Sequence, residues 1–199
     1  MTILCLLANL IFSQVNFSLS PQLIELNIPA GVRKKIQFSL VNESKFVKLP
    51  LALYPADVIQ TKGGTYTTVE IGKGTLSCAP WIELKDTLIN LEPEAGKEIT
   101  GYVKIPTGVK GGRYGAIVIE TRLPEETHQI GMRMPVFLEI TIRPQIKPKR
   151  VTITDIKFEN PAKMPKFIDR KFNSALAVIA SVKNEGDIHI KTSGNLIIV

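Results

Sequence analysis

Phe38-Ser39-Leu40-Val41-Asn42-Glu43-Ser44, followed by Phe46-Val47-Lys48-Leu49-Pro50-Leu51-Ala52-Leu53, recurs in outline towards the far end of the chain. There it reads Ile179-Ala180-Ser181-Val182-Lys183-Asn184-Glu185-Gly186, then Ile188-His189-Ile190-Lys191 and Leu196-Ile197-Ile198-Val199. Each copy is a strand, an Asn-centred turn and another strand, because apolar and polar residues alternate on either side of residues that favour turns. Asn42 and Asn184 lie 142 residues apart, the span of one β-sandwich domain plus a linker. The first copy is followed by about a hundred residues of further strand-like sequence and the second by almost none. The expectation is an array of two sandwiches, the second incomplete at residue 199 or completed by a partner's strand.

Working outward, alternation dominates and helical periodicity is nearly absent. Leu19, Pro21, Leu23, Ile24, Leu26 and Ile28 read as a first strand with a register shift, closed by the turn Pro29-Ala30-Gly31. Ile36, Phe38 and Leu40 alternate with Lys35, Gln37 and Ser39, so one face is buried and the other wet. Leu49 to Ile59 is a third strand, which Pro50 and Pro55 confine to an edge or to bulges. Tyr66 to Ile71, Trp81 to Leu84, Leu88 to Leu91, Ile99 to Ile105, Ala116 to Thr121 and Ile130 to Ile142 follow. Pro93 to Gly96 forms a tight turn, and the glycine pair Gly111-Gly112 precedes Tyr114 at a sharp reversal. This density of strands and turns predicts an all-β fold, an immunoglobulin-like antiparallel β-sandwich over residues 17–143. Residues 144–150 are a basic, Pro-containing linker. Residues 151–199 start a second β-sandwich, with strands at Val151–Phe158, Ala175–Val182 and within Ile188–Val199. Trp81, the single tryptophan, is expected to plug the sandwich core.

The net charge of +7 is uneven along the chain. Residues 1–142 hold 14 Lys/Arg against 13 Asp/Glu, and residues 143–150 hold four basic residues and no acid. The excess therefore reads as a solvated linker, with no basic, aromatic-interleaved face for nucleic acid. Thr2 to Phe12 is an almost wholly apolar run, too short to span a membrane and right for the centre of a secretory signal peptide within residues 1–16. No basic residue precedes it and no A-x-A site follows it, although Ser13 is a candidate for the last residue removed. The expected location is secreted or cell-surface, with any membrane anchor outside this segment. Of the two cysteines, Cys5 lies in the apolar run, and Cys78 has no neighbouring base, so it reads as a buried structural thiol.

The same patterns together resemble the immunoglobulin-like, PapD-like domains of prokaryotic cell-surface proteins. They are Pro21-Gln22-Leu23-Ile24-Glu25-Leu26, Trp81-Ile82-Glu83-Leu84, Leu91-Glu92-Pro93-Glu94-Ala95-Gly96-Lys97-Glu98-Ile99, Val103-Lys104-Ile105-Pro106 and Gly112 to Ile119. The resemblance is closest to the peptidoglycan- and host-binding type of WxL-interacting surface proteins. It implies that a second sandwich follows the first, and carries over no binding residue.

No catalytic, cofactor-binding or metal-ligating constellation is visible. His128 and His189 are about sixty residues apart with no ligand spacing, and Glu125-Glu126, Glu92 and Glu94 read as solvated turn acids. Asn16-Phe17-Ser18 and Asn42-Glu43-Ser44 match a glycosylation pattern that arises often by chance. The leading expectation is an adhesion or scaffold module that binds a cell-wall polymer or a surface protein. A second is a periplasmic chaperone acting by edge-strand pairing. Its relatives anchor the client carboxylate with basic residues, for which Arg33 and Arg113 are the candidates here. A third is an accessory domain of a polysaccharide-active enzyme.

Overall fold

The computed structural model describes residues 16–61, 65–122, 131–144, 151–159 and 177–191. The apolar run before residue 16, the linker residues 145–150, and the loop with Glu125, Glu126 and His128 lie outside them. The chain divides into two units, Met1–Arg143 and Pro144–Val199.

In the first unit the strands are β1 (Phe17–Ser20), β2 (Leu23–Pro29), β3 (Arg33–Asn42), β4 (Leu49–Gln60), β5 (Tyr66–Val69), β6 (Ile82–Leu84), β7 (Leu88–Leu91), β8 (Gly96–Lys104), β9 (Gly111–Thr121) and β10 (Arg133–Arg143). They form a four-stranded sheet, β1-β3-β8-β6, and a six-stranded sheet, β2-β10-β9-β4-β5, with β7 also on β4. Pairing is antiparallel except between β2 and β10, which run parallel from Leu23↔Phe137 to Pro29↔Arg143. The inward residues of both sheets form one core. Phe17, Ile36, Phe38, Leu40, Ile99 and Val103 come from the smaller sheet, and Leu49, Leu51, Leu53, Ile117, Ile119, Leu138 and Ile140 from the larger. Each such aliphatic side chain, fully removed from water, contributes about 1.5–3 kcal/mol.

Three expectations change. First, Leu19 to Ile28 is two strands. The chain leaves the smaller sheet at Ser20-Pro21, a cis peptide, and enters the larger one at Leu23. Pro21 has no N–H to give to a ladder, so the interruption falls there. Second, β4 is not an edge strand. It pairs with β9 along one side, and with β7 (Leu49–Ala52) and then β5 (Asp57–Gln60) along the other. Its prolines sit where no ladder donor is needed. Leu53 N–H points to the β7 side, onto the Thr87 carbonyl, so by alternation Pro55 points into the gap between β7 and β5. Pro50 lies just beyond the end of the β9 ladder, where its carbonyl accepts from Arg122 N–H. Third, Trp81 closes a 3-10 turn (Ala79–Trp81) before β6 and is half-buried at the rim, while aliphatic residues and two phenylalanines fill the centre.

In the second unit β11 (Val151–Glu159) pairs antiparallel with β12 (Ala177–Asn184), with an irregularity between Ile153 and Asp155. Residues 188–191, expected to open a further strand, are irregular, and residues 192–199 lie outside the described residues. The repeat seen in the sequence persists in atomic detail. Oδ1 of Asn42 accepts from Ser44 N–H (3.0 Å), and Oδ1 of Asn184 from Gly186 N–H (2.9 Å). Nδ2 of Asn42 donates to the Val47 carbonyl and Nδ2 of Asn184 to the Ile188 carbonyl, each at 2.8 Å. The strand pairs match as well: Phe17 faces Asn42 and Leu19 faces Leu40, as Val151 faces Asn184 and Ile153 faces Val182.

Candidate functional site

The departure of the chain at Ser20-Pro21 has a consequence on β10. Its ladder with β2 begins at Phe137, whose N–H donates to the Gln22 carbonyl at 2.8 Å. Arg133 to Val136 are paired on the β9 side alone among the described residues. Because Phe137 directs its N–H towards β2, alternation directs Arg133 and Pro135 the same way. The open edge therefore offers the Arg133 N–H and the carbonyls of Arg133 and Pro135. Pro135 removes one donor, which blunts the edge against indiscriminate pairing without closing it.

The Arg133 side chain turns back over the outer face of the same sheet. Its guanidinium carbon is 5.8 Å from the Tyr54 ring centroid, and the Tyr54 hydroxyl donates to Glu120 Oε2 at 2.8 Å. Burial, and then that hydrogen bond, push the Tyr54 pKa up. A groove of about 530 Å³ opens here, lined by Tyr54, Pro55, Thr68, Val69, Ile71 and Arg133 among others. It holds apolar, aromatic and cationic surface side by side, with the acid Glu70 at its wall.

The residues singled out in the sequence fall elsewhere. Arg33 begins β3 in the smaller sheet, where Nε and Nη2 both lie 3.0 Å from Glu83 Oε2 and the guanidinium stacks 3.5 Å from the Tyr102 ring centroid. Arg113 is on β9 in the larger sheet and donates to the Gly112 carbonyl at 2.7 Å. The two arginines are thus held on different sheets by different partners and form no joint anchor. Asn42 is fully buried, and its Nδ2 also donates to the carbonyls of Leu91 (3.1 Å) and Glu92 (3.0 Å), so this acceptor pattern is sealed inside the fold. Asn16 is exposed. Cys78 is fully buried, and that burial pushes its thiol up to about 12. Glu92 and Glu94 flank Pro93 in the turn before β8, where Ala95 N–H donates to the Glu92 carbonyl and Glu94 takes φ 57°. His189 is half-buried just after the Asn184 turn.

The sequence showed no sign of Asp57. It is a fully buried carboxylate on β4 that accepts from Gly72 N–H (2.7 Å), Gly74 N–H (2.8 Å) and the Ser77 hydroxyl. Burial raises its pKa, but the hydrogen bonds from Ser77, Gly74, Gly72 and Lys73 outweigh that and hold it below the usual carboxylate range. Every acceptor oxygen is used on its own loop, so the role of Asp57 is to pin residues 72–77.

Comparison with known proteins matches this architecture. No protein-family model and no curated protein matches the chain. Among solved structures it is similar to the class 5 fimbriae chaperone CfaA, with 16% identity and a TM-score of 0.52 over 87% of this chain and 83% of that one. It is likewise similar to a chain of the chaperone–tip adhesin complex of CFA/I fimbriae biogenesis (15% identity, TM-score 0.52, 88% and 83% covered). A PapD-like domain of human CEP192 matches at 12% identity and a TM-score of 0.45, over 65% of this chain and 87% of that one. The fold is a PapD-like, immunoglobulin-like β-sandwich. Among the described residues no helix is long and apolar enough to cross a membrane.

Proposed function

We propose that this chain is a non-enzymatic binding module that takes up an extended segment of a surface or pilin-like protein along the open edge of β10. The reading is chaperone-like. The observation that carries it is the four-residue stretch Arg133–Val136, paired on the β9 side alone among the described residues where the chain crosses between sheets, with Arg133 also lining the groove. A strand added there continues the line of β2 and gains main-chain hydrogen bonds, while the groove discriminates among side chains. The likeness to fimbrial chaperones supports this more than it supports adhesion to a cell-wall polymer or the WxL-interacting type. The apolar run Thr2–Phe12 supports an extracytoplasmic site of action.

The test is a display screen of extended peptides with alternating apolar residues against the purified chain, followed by amide exchange on the bound form. Slowed exchange at Arg133 is expected, with chemical-shift changes at Tyr54 and Ile71. Binders that leave Arg133 unprotected would remove the reading.

A further inference from the structure

Phe46 is the most exposed large apolar residue among the described residues, at 78%. The loop that carries it is nonetheless tied down at almost every position. Glu43 N–H donates to the Asn16 carbonyl (3.0 Å) and Glu94 N–H to the Ser44 carbonyl (3.1 Å). Asn42 spans the loop, accepting from Ser44 N–H and donating to the Val47 carbonyl. The hydroxyl of buried Ser44 accepts from the N–H of Phe46 (3.4 Å) and of Val47 (3.1 Å). A fixed backbone thus holds a phenyl ring out in water.

Folding does not account for the ring. The second unit supplies an internal control, because Asn184 makes the same two bonds, accepting from Gly186 N–H and donating to the Ile188 carbonyl. The residue before the bonded carbonyl is Phe46 in one copy and Asp187 in the other, so the turn closes equally well on an acid. An aromatic ring on an already ordered backbone loses little entropy on docking, which is how the anchor residues of interfaces work. A bilayer suits it poorly, since even a single acyl chain binds a membrane only marginally, and the exposed neighbours include Glu43 as well as Lys45.

The groove beside Arg133 has the complementary character. Tyr54, Pro55, Val69 and Ile71 give it an aromatic and aliphatic lining, its volume of about 530 Å³ admits a phenyl ring, and Ile71 is 52% exposed. The charges match as well. Lys45 precedes Phe46, Glu70 stands at the groove wall, and neither has an ion-pair partner among the described residues. A chain cannot fill its own groove from this loop. Asn42 ties the loop to Leu91 and Glu92, level with Leu49 at the start of β4, and Tyr54 is five extended residues further on, roughly 17 Å away.

We propose that Phe46 of one molecule seats in this groove of a second copy, with Lys45 of the first against Glu70 of the second. Knob and groove are different surfaces of one chain, so the contact is head-to-tail and builds rows or rings instead of a closed two-fold dimer. It does not depend on strand pairing at β10, because a peptide can protect Arg133 whether or not the chain self-associates.

The test is sedimentation of the full chain up to about 1 mM, high enough for a small interface to register. The weight-average mass of the wild type should rise with concentration. Phe46→Ser should weaken the association about 30-fold, the loss that a central aromatic anchor carries. Ile71→Lys should abolish it by placing a cation against Lys45. Both native side chains are exposed, so the melting temperatures should stay unchanged. The two variants mixed should form a one-to-one dimer and nothing larger, because each supplies the half that the other lacks. Lys45→Glu should weaken the contact, and mixing it with Glu70→Lys should restore it. A wild type that stays monomeric throughout, or two variants that fail to pair when mixed, would overturn the proposal. Association that survives both Phe46→Ser and Ile71→Lys would overturn it too, since another surface, such as the apolar side of β11–β12, would then carry it.

Discussion

Asp57 shows how one side chain organises a loop. Asp57→Asn places an N–H₂ where two backbone donors, Gly72 and Gly74, now find an oxygen. The loss should be about 1–3 kcal/mol at neutral pH, measured by denaturant unfolding. Because the folded-state pKa lies below the unfolded one, the stabilisation is complete above the unfolded value and disappears as pH falls through the folded one. The gap between wild type and Asp57→Asn should therefore narrow below about pH 4. Gly115 has a different constraint. A Cβ there would lie 2.8 Å from Cys78 Sγ and 3.2 Å from the Ala79 nitrogen. Gly115→Ala should cost about 1–3 kcal/mol, and adding Cys78→Ala should recover part of it by removing the sulfur. Neither residue stood out in the sequence. A buried acid reads like any other acid until the loop that wraps it is known, and a tight glycine looks like a turn glycine. Asn42 and Asn184 were legible because each is framed by strands and repeated.

Strand periodicity was the most readable feature, since burial on one face forces alternation, as in Ile36, Phe38 and Leu40. What periodicity cannot give is the neighbour of each strand. Pro50 and Pro55 implied an edge or bulges, yet β4 lies between partners, because each proline nitrogen points where the ladder has stopped. The β1–β2 crossing was hidden for the same reason: both halves alternate, and only pairing shows that they serve different sheets. The open stretch of β10, and with it the candidate site, follows from that crossing and was likewise out of reach. The two units should differ in local stability. Leu40 of β3 is fully buried, whereas Ile153 and Val182 in β11–β12 are 61% and 43% exposed. Hydrogen exchange should be slow in β3, β8 and β9 and faster in β11 and β12. Equal protection in both sets would mean that the apolar side of β11–β12 is covered in solution.

At the scale of the molecule, composition indicated an all-β chain but gave no hint of where its charges gather. The net +7 suggested a basic linker, yet β3 itself opens on three consecutive cations, Arg33-Lys34-Lys35, of which Arg33 is engaged by Glu83 of β6. The first unit carries a core of its own, so residues 16–143 expressed alone should unfold in a single cooperative transition by circular dichroism. A broad, non-cooperative melt would show that the remaining residues are needed for the sandwich to hold. The sealed thiol of Cys78 gives this unit an internal clock. With its sulfur closed off between β9 and the 3-10 turn, the rate at which an alkylating reagent marks that one position reports how often the whole sandwich breathes open, with no label introduced. The peptide carrying Cys78 is distinguishable by mass from the one carrying Cys5, so the reading can be taken on the native sequence without engineering a cysteine.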